Sequence, residues 1–278
     1  MIANFKKSEM KKFLVPIDFS DASINAAKYA VALTSEIPDA ELTFYNVYSS
    51  ISLPTLSSKE EGSREKISLN ELNEIRNQIG EGRNISLAVE EGSFVDMLCE
   101  YVLGHAIDMV IMGITGSSRI KQVFMGTSTL NIIRKIDCPV MIIPAEAEFK
   151  GLKKVVFTSD FTDVARTTPF ITLKEIINTF KPSLEILNVD SEHFVELTPE
   201  YKIEKEAMKE KLGEYNPEFS FLRAYDFLEG ISSFVESREM DAIITVPRKH
   251  SFLSQLFKTS HTKKLAYHSR VPIITLPA

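Results

Sequence analysis

Short apolar runs alternate with longer amphipathic stretches along the first half of this chain. The apolar runs predict five strands, Lys12–Ile17, Glu41–Tyr48, Asn84–Glu90, Met109–Met112 and Val140–Ile143. The stretches between them predict four helices, Ser20 or Asp21 to Ser35, Ser57–Ile79, Ser93–Gly104 and Thr127–Ile136. Short apolar strands that alternate with helices are typical of a parallel sheet covered by helices on both faces. The pattern therefore predicts an α/β fold.

Individual residues in these helices indicate where the helices begin and what they bury. We expect Ser20 or Asp21 to cap the first helix and Ser93 to cap the third, because both serine and aspartate accept hydrogen bonds from free helical N–H groups. Four apolar residues of the second helix recur at helical spacing, and we expect all of them to pack in the core: Ile67, Leu72, Ile75 and Ile79.

A series of sequence anchors occurs twice in the chain, in the same order. Residues 11–21, KKFLVPIDFSD, reappear as residues 153–163, KKVVFTSDFTD. Three further segments repeat: 42–47 as 184–189, 108–111 as 241–244, and 139–145 as 272–278. The period is far too long for a solenoid. We therefore predict two copies of one domain, residues 1–147 and 148–278, joined near Ala145–Gly151.

Composition excludes several classes of function. The 278 residues have a net charge of −6, which argues against broad nucleic-acid binding. No apolar run approaches the ~18 residues that a membrane helix needs, and the first residues lack the apolar core of a signal peptide. Cys99 and Cys138 are far apart within apolar patterns, so we expect buried thiols in a reducing cytoplasm, with a disulfide as the minor alternative. The sequence contains no Cys/His cluster, which argues against a structural zinc site.

The segment between the fourth strand and the fourth helix has the composition of an anion-binding loop. Gly113 and Gly116 are followed, after nine residues, by Gly126, Thr127 and Ser128. Glycine tolerates positive φ and lets backbone N–H groups approach a phosphate. A helix that begins near Gly126 would direct its free N–H groups and its dipole at the same charge. The spacing is neither GxGxxG nor GxxxxGK[ST], so the two common nucleotide fingerprints are absent.

Asp18 is the second candidate functional residue, because it follows the first strand directly. In open parallel sheets, ligands bind beyond the carboxyl ends of the strands, where the strand order reverses. Asp18 and Gly113 both follow predicted strands, so we expect them to converge across the 95 residues that separate them. From these residues alone, a helix cap or turn former is as good an interpretation of Asp18 as a ligand contact.

Three features together resemble the universal stress protein family, in its tandem two-domain form, over essentially the whole chain. They are the aspartate in residues 16–20, PIDFS; the run NVY at 46–48; and G-x2-G-x9-G-[ST] from Gly113 to Thr127, the signature of the ATP-binding branch. The resemblance implies that each domain is a doubly wound five-stranded parallel sheet, in the order 3-2-1-4-5, with an ATP or AMP pocket where the order switches. In such proteins the residues that hold the adenosine match Pro16, Ile17, Asp18 and Val47. Those that hold ribose and phosphates match Met112, Gly113, Gly116, Gly126, Thr127 and Ser128.

The resemblance also bears on how the two copies associate. In similar proteins the last strands of two domains cover each other across a twofold axis. Here Val140–Ile143 and Ile273–Leu276 are short and apolar, and such a strand at a sheet edge favours pairing. The resemblance therefore implies an intramolecular pseudo-dimer, and a homodimer of the whole chain stays open.

The chemistry of the residues agrees with an adenine-nucleotide site. The acceptor-only carboxylate of Asp18 suits ribose hydroxyls or an adenine amino group, whereas it would repel a triphosphate. Val47 and Met112 offer apolar surface to a base. Arg119 and Lys121 either reach the outer phosphates or are solvated loop charges. We expect no metal held by protein ligands alone; Mg²⁺ would arrive with the nucleotide.

The second copy departs from this pattern at all three glycines. Val246 aligns with Gly113, Lys249 with Gly116, and Thr259-Ser260 with Gly126-Thr127. Because Val246 and Thr259 resist positive φ, a tight phosphate cradle is not expected there. The segment is basic, so an anion bound through side chains is one interpretation and a degenerate domain retained for packing is the other.

These observations predict a cytoplasmic, nucleotide-binding stress-response protein with one adenine-nucleotide site, in the first domain. Both ATP and AMP fit the pattern. Two alternatives stay open. One is a slow ATPase, for which no catalytic residue can be named because no general base beside the γ-phosphate is evident. The other is a nucleotide-independent scaffold that binds protein.

Overall fold

The chain forms two compact units. The computed structural model describes residues 9–48, 58–80, 82–114, 127–190, 198–224, 227–247 and 270–277. The first unit contains Met10–Thr115 and Gly126–Phe149, and the second contains Lys150–Ala278. The division thus falls between Phe149 and Lys150, whereas the sequence places the boundary between residues 147 and 148.

The first unit alternates strands and helices from beginning to end. Its elements are β1 (Lys12–Pro16), α1 (Asp21–Thr34), β2 (Glu41–Tyr48), α2 (Ser58–Ile79), β3 (Ile85–Glu91), α3 (Phe94–His105), β4 (Met109–Ile114), α4 (Thr127–Lys135) and β5 (Val140–Pro144). All neighbouring strands are parallel, in the order β3-β2-β1-β4-β5. The α/β fold and strand order predicted from the sequence are confirmed.

Helices cover both faces of this sheet. α1 packs against α2, and α3 packs against α4. Successive right-handed crossovers explain the two layers, because the chain moves outward from β1 to β3 with α1 and α2 on one face. It then crosses back to β4 and on to β5 with α3 and α4 on the other. β1, β4 and β5 are almost entirely buried between these layers, as their apolar sequences require.

The second unit has the same strand order with different helices. Its elements are β6 (Lys154–Thr158), α5 (Val164–Thr167), α6 (Phe170–Phe180), β7 (Ser183–Asp190), α7 (Pro199–Leu212), a 3₁₀ turn (Gly213–Tyr215), β8 (Glu218–Arg223), α8 (Phe227–Arg238), β9 (Ala242–Thr245) and β10 (Ile273–Thr275). Its parallel strands lie in the order β10-β9-β6-β7-β8. Where the first unit has the continuous helix α1, the second has the four-residue α5, which ends before Pro169.

Two of the repeated sequence anchors have the same structural role in each unit. The Oδ2 atom of Asp108 accepts hydrogen bonds from the backbone N–H groups of Lys11 (2.7 Å) and Lys12 (2.8 Å). Asp241 makes the same pair of bonds to residues 153 and 154, at 2.7 and 2.8 Å. Each aspartate precedes one strand and binds the start of its neighbour, so it sets the register between the two.

Three local expectations are corrected or refined by the structure. Ser20, rather than Asp21, is the N-cap of α1, since its side chain accepts a hydrogen bond from the Ser23 N–H. Ser93 occupies the N-cap position of α3 but makes no capping bond with its side chain. Ile67 was expected in the core and is 53% exposed. Leu72 and Ile75 are buried as expected, and Ser68 is buried instead of its neighbour Ile67.

Candidate functional site

The candidate site lies where the strand order of the first sheet reverses. β1 lies between β2, to which the chain proceeds, and β4, to which it returns after β3. Connections leave the carboxyl ends of β1 and β4 toward opposite faces of the sheet, which creates a crevice at this edge. Pro16, Val47 and Met112 lie at or near the carboxyl ends of these three neighbouring strands. The sequence predicted each of them as a site residue.

β1 pairs fully with β2 and only in part with β4. Five residue pairs, from Lys12–Glu41 to Pro16–Tyr45, join β1 to β2. Only Phe13–Met109 and Leu14–Val110 join β1 to β4, although β4 continues to Ile114. The carboxyl end of β1 is therefore hydrogen-bonded on one side and unpaired on the side of the crevice.

Asp18 projects from the turn that follows β1, and it is exposed. Its Oδ1 atom accepts hydrogen bonds from the backbone N–H (3.1 Å) and the hydroxyl (2.5 Å) of Ser20. Phe19, between them, has a φ of 64°, which is uncommon for a bulky residue. Ser20 in turn caps α1. Asp18 is thus not the helix cap itself. It closes an Asx turn whose hydrogen bonds orient Ser20, the residue that caps α1.

The environment of Asp18 keeps it ionised at neutral pH. Partial desolvation raises its pKa, but hydrogen bonds from the hydroxyls of Ser20 and Ser23 and from the Ser20 N–H outweigh this effect. The net result is a pKa below the ordinary value of 3.8. Both hydrogen bonds from Ser20 go to Oδ1 rather than to Oδ2.

The same turn occurs in the second unit. The N–H of Thr162 donates to Oδ1 of Asp160 at 3.1 Å, the same length as the Ser20–Asp18 bond. Phe161 has a φ of 49° and so copies the conformation of Phe19. Since this turn forms beside a sequence without the glycine pattern, the Asx turn is a property of the fold. A ligand contact at Asp18 has to be tested separately from the turn.

Asn46 is a residue at this edge that the sequence analysis did not assign to the site. Its side chain is 6% exposed, and its Nδ2 donates to the carbonyl of Ile17 at 2.7 Å. The N–H of Ile17 donates to the Tyr45 carbonyl at 2.7 Å, so β2 holds both polar groups of the residue before Asp18. Asn188 binds the carbonyl of Ser159 in the same way at 3.0 Å. The repetition of asparagine at corresponding positions was the signal that could have identified it.

The two apolar candidates differ in accessibility. Val47 is half-buried and pairs with Glu90 on β3. Met112 is 6% exposed and pairs with Ile142 on β5. Val47 therefore presents accessible apolar surface at this edge, whereas Met112 is buried in the sheet.

Gly113 lies inside β4 rather than in the loop after it, where the sequence placed it. Its φ is not positive, so conformational freedom is not why glycine occurs here. A Cβ atom on Gly113 would lie 2.2 Å from the carbonyl oxygen of Ala22 and 3.1 Å from the nitrogen of Ser23. The missing side chain allows the first turn of α1 to pack on β4.

The phosphate end of the predicted site is described only in part. α4 begins at Thr127, as the sequence predicted, with Ser128 as its second residue. Its N-terminal N–H groups therefore follow the glycine segment directly in the chain. Gly116 and Gly126, together with Arg119 and Lys121, lie outside the described residues.

The corresponding edge of the second unit is built differently. Val246, which replaces Gly113, is 5% exposed. α5 begins after Asp163, whose φ is 47°, and the N–H of Val164 donates to Glu204 of α7 at 2.8 Å. The Glu204 carboxylate thus already binds an N–H group at the start of α5. Lys249, Thr259 and Ser260 lie outside the described residues.

Among the residues that the structure describes, no group of three or more His, Cys, Asp and Glu side chains could hold a metal ion. Both cysteines are free thiols; Cys138 is buried and Cys99 half-buried. Burial raises the pKa of Cys138 to about 12, so this thiol is not a nucleophile at neutral pH. Within the same residues, no helix combines the length and apolarity that crossing a membrane requires.

Comparison with known proteins shows the family. The model of the universal stress protein family matches residues 9–144. A universal stress protein of Methanocaldococcus jannaschii is 30% identical over 141 residues, which cover 48% of this chain and 81% of that protein. A universal stress protein structure from Archaeoglobus fulgidus aligns with a TM-score of 0.68 at 16% identity, over 95% of this chain and 97% of that chain. A universal stress protein solved in complex with cAMP is 22% identical over 49% of this chain and 98% of that chain, with a TM-score of 0.38. The chain therefore belongs to the universal stress protein family.

Proposed function

We propose that the first unit binds one adenine nucleotide, ATP or AMP, in the crevice between β1 and β4. The observation that carries this proposal is the position of Asp18: an exposed, ionised carboxylate at the switch in strand order, beside the unpaired end of β1. The glycine spacing from Gly113 to Thr127, which follows β4 and leads into α4, supports it.

The two ends of the crevice suit the two ends of a nucleotide. Oδ2 of Asp18 accepts a hydrogen bond from the ribose or the adenine, and the half-buried Val47 contacts the base. The phosphates lie toward the start of α4, where free N–H groups and the helix dipole favour negative charge. Mg²⁺, where present, binds through the phosphates. The negative charge of Asp18 excludes the reverse orientation, because it would face the phosphates.

Binding, rather than catalysis, is the function we propose. Phosphoryl transfer needs a group that positions the attacking water or takes its proton. No side chain of the described residues can be assigned to that role. We infer a stress-response protein that senses or stores adenine nucleotide. The structure of a family member with cAMP is consistent with a nucleotide ligand class, and that ligand belongs to that protein.

Asp18→Asn is the variant that separates the ligand contact from the turn. Asparagine keeps the Oδ1 acceptor for the Ser20 N–H, so the Asx turn persists, but it removes the charge. Hydrogen bonds to charged groups contribute about 1.5–3 kcal/mol, so we expect ATP and AMP affinity to fall roughly ten- to a hundredfold. Isothermal titration calorimetry of the full chain measures affinity and stoichiometry, with one nucleotide per chain expected for the wild type.

Asp160→Asn is the matched control, since it makes the same change in the same turn of the second unit. It should leave affinity unchanged. Equal affinities of Asp18→Asn and the wild type would contradict the role of Asp18. A wild-type chain without a thermal shift in ATP, ADP or AMP would instead favour the scaffold, and phosphate release above a protein-free control would favour the slow ATPase.

A further inference from the structure

The strand pairs at the two switch points differ by one residue pair. In the first unit, β1 and β4 are joined by two pairs that end at Leu14–Val110. In the second unit, β6 and β9 are joined by three pairs that end at Phe157–Ile244. In the repeat, this third pair corresponds to Val15 and Ile111, which are not paired.

The directions of the backbone N–H and C=O groups of β1 explain why Val15 and Ile111 do not pair. In a parallel ladder, alternate residues of a central strand bond to opposite neighbours. The N–H of Ile17 donates to Tyr45 on β2, so the residue before it, Pro16, faces β4. Proline has no N–H to donate. The bond that would continue the ladder to β4 therefore cannot form.

The second unit has a donor at the corresponding position. The N–H of Ser159 donates to Leu187 on β7, so Thr158, which aligns with Pro16, faces β9. Thr158 has an N–H, and the ladder continues through Phe157–Ile244. Its hydroxyl also donates to the Ile244 carbonyl at 3.4 Å. One residue type at one position thus accounts for the difference between the two ladders.

We propose that Pro16 is a positioning residue that keeps the crevice between β1 and β4 open to a nucleotide, and that Thr158 closes the corresponding edge of the second unit. The inference rests on the proposed function for its ligand. Asn46 holds the Ile17 carbonyl toward β2, and the missing N–H of Pro16 removes the ladder bond that would follow the Leu14–Val110 pair to β4. Asp18 and Gly113 lie at this edge, and a ligand that shifts the strand ends does not have to break that ladder bond.

Pro16→Ala tests this role because alanine restores the N–H. We expect the amide of residue 16 to bond to β4 and to be protected in hydrogen exchange followed by NMR on the full, nucleotide-free chain. Because entry would then require breaking a bond of ordinary net strength, affinity for ATP and AMP should fall roughly three- to tenfold. The melting temperature should not fall, since the added bond offsets the greater flexibility of the unfolded chain. A merely structural proline would instead lose stability and affinity together.

Thr158→Pro is the reciprocal control. It removes the third pair of the second unit, so it should lower stability and leave nucleotide affinity unchanged. Pro16→Thr, which copies the second unit, replaces Pro16→Ala if the latter does not fold. Unchanged affinity of the Pro16 variants would overturn the inference. Reduced affinity with a freely exchanging residue-16 amide would also overturn it, because the proline ring itself would then be the contact. Absence of binding by the wild type would be a failure of the proposed function, visible without any variant.

Discussion

The sequence allows two interpretations of Asp18, and neither of them fully describes its position in the structure. A helix cap and a ligand contact were the alternatives. Its Oδ1 closes a turn with Ser20, and Ser20 caps α1, so Asp18 acts on the helix through the cap. Both hydrogen bonds from Ser20 go to Oδ1, so Oδ2 is the atom that we propose for a ligand contact. The turn therefore fixes the orientation of this carboxylate at the switch in strand order.

Ser20→Ala should remove two contacts of the Ser20 hydroxyl, the capping bond from the Ser23 N–H and the bond to Asp18. Loss of an N-cap side chain costs about 0.5–2 kcal/mol of stability, which urea unfolding at pH 7 measures. The pKa of Asp18 should rise toward its ordinary value of 3.8, as NMR titration measures, because the Ser20 hydroxyl is among the groups that lower it. A depressed pKa stabilises the fold above the unfolded-state value, and this contribution is lost as the pH falls through the folded-state value. The part of the stability difference that comes from the Asp18 pKa should therefore disappear in acid, whereas the part that comes from the lost cap should remain.

Ser93→Ala is the matched control for that variant. Ser93 has the same position on α3 but makes no capping bond with its side chain, so the substitution should cost clearly less. Equal losses from both variants would show that the Ser20 contacts contribute nothing beyond the N-cap position.

The residues that sequence analysis missed are those whose role depends on a neighbouring strand. The turn at Asp18 is local, and the motif indicated it. The bond from Asn46 to Ile17 joins residues 29 positions apart, and only the recurrence of Asn188 hinted at it. Ile67 fits the helical spacing but is exposed, because the buried face of α2 is set by the strands beneath it rather than by the spacing alone.

The contact between α1 and β4 shapes the sheet edge that carries the candidate site. Gly113 allows the backbone of Ala22 to pack directly on the strand. The second unit has Val246 at the position of Gly113, and its first helix is the short α5 instead of a continuous helix. Pro169, which follows α5, cannot continue it. A side chain on the strand and an interrupted helix therefore occur together in the second unit, and neither occurs in the first.

Gly113→Ala should destabilise the first unit. Its Cβ would lie 2.2 Å from a backbone oxygen, which cannot move away without displacing α1. Overpacking of this kind costs about 1–3 kcal/mol in urea unfolding. For this reason a Gly113 variant that loses nucleotide affinity would not by itself show a phosphate contact.

Gly104→Ala is the matched control for Gly113→Ala, and we expect it to have the opposite effect on stability. Gly104 lies in α3 with nothing within 4 Å of its missing Cβ. Alanine should therefore stabilise the chain by about 0.5–1 kcal/mol. If Gly113→Ala proved as stable as Gly104→Ala, α1 would not pack on β4 as closely as the structure indicates.

Element order was the part of the fold that the sequence predicted best. The predicted β2, Glu41–Tyr48, has the observed bounds, and the predicted α4 begins at Thr127 as observed. Periodicity and short apolar runs are local signals, so they located the elements. The prediction of β4 ended at Met112, two residues early, because glycine was interpreted as the start of a loop. That glycine is required by a helix some 90 residues earlier in the chain, which no local pattern reveals.

The two units share one strand order and differ in a few residues near the carboxyl ends of their strands. Both units share the aspartate that sets strand register, the Asx turn and the asparagine behind it. They differ at Pro16, at Gly113 and in the sequence of the glycine segment. The shared features are those that form the fold, and the differing ones are those that the proposed nucleotide site uses. A single site in the first unit is what we expect from this distribution.

We expect the first unit to fold as an independent fragment. Residues 1–149 should fold and bind one adenine nucleotide with the affinity of the full chain, whereas residues 150–278 should bind none, as calorimetry would show. The fragment has to extend to Phe149, because Asn25 of α1 donates to the carbonyls of Pro144 (3.2 Å) and Ala147 (3.0 Å). Tyr29 contacts Phe149 edge to face, with ring centroids 5.2 Å apart.

A fragment that ends at residue 144 loses the ring contact and the bond to Ala147. These contribute about 0.5–1.5 kcal/mol each, so its free energy of unfolding in urea should be about 1–3 kcal/mol lower than that of residues 1–149. Affinity measured on the folded fraction should be the same for both fragments, because the lost contacts lie on α1 away from its first turn. If the longer fragment folded but did not bind, the nucleotide site would need residues of the second unit. If the two fragments were equally stable, residues 145–149 would be a connection without a role in the first unit.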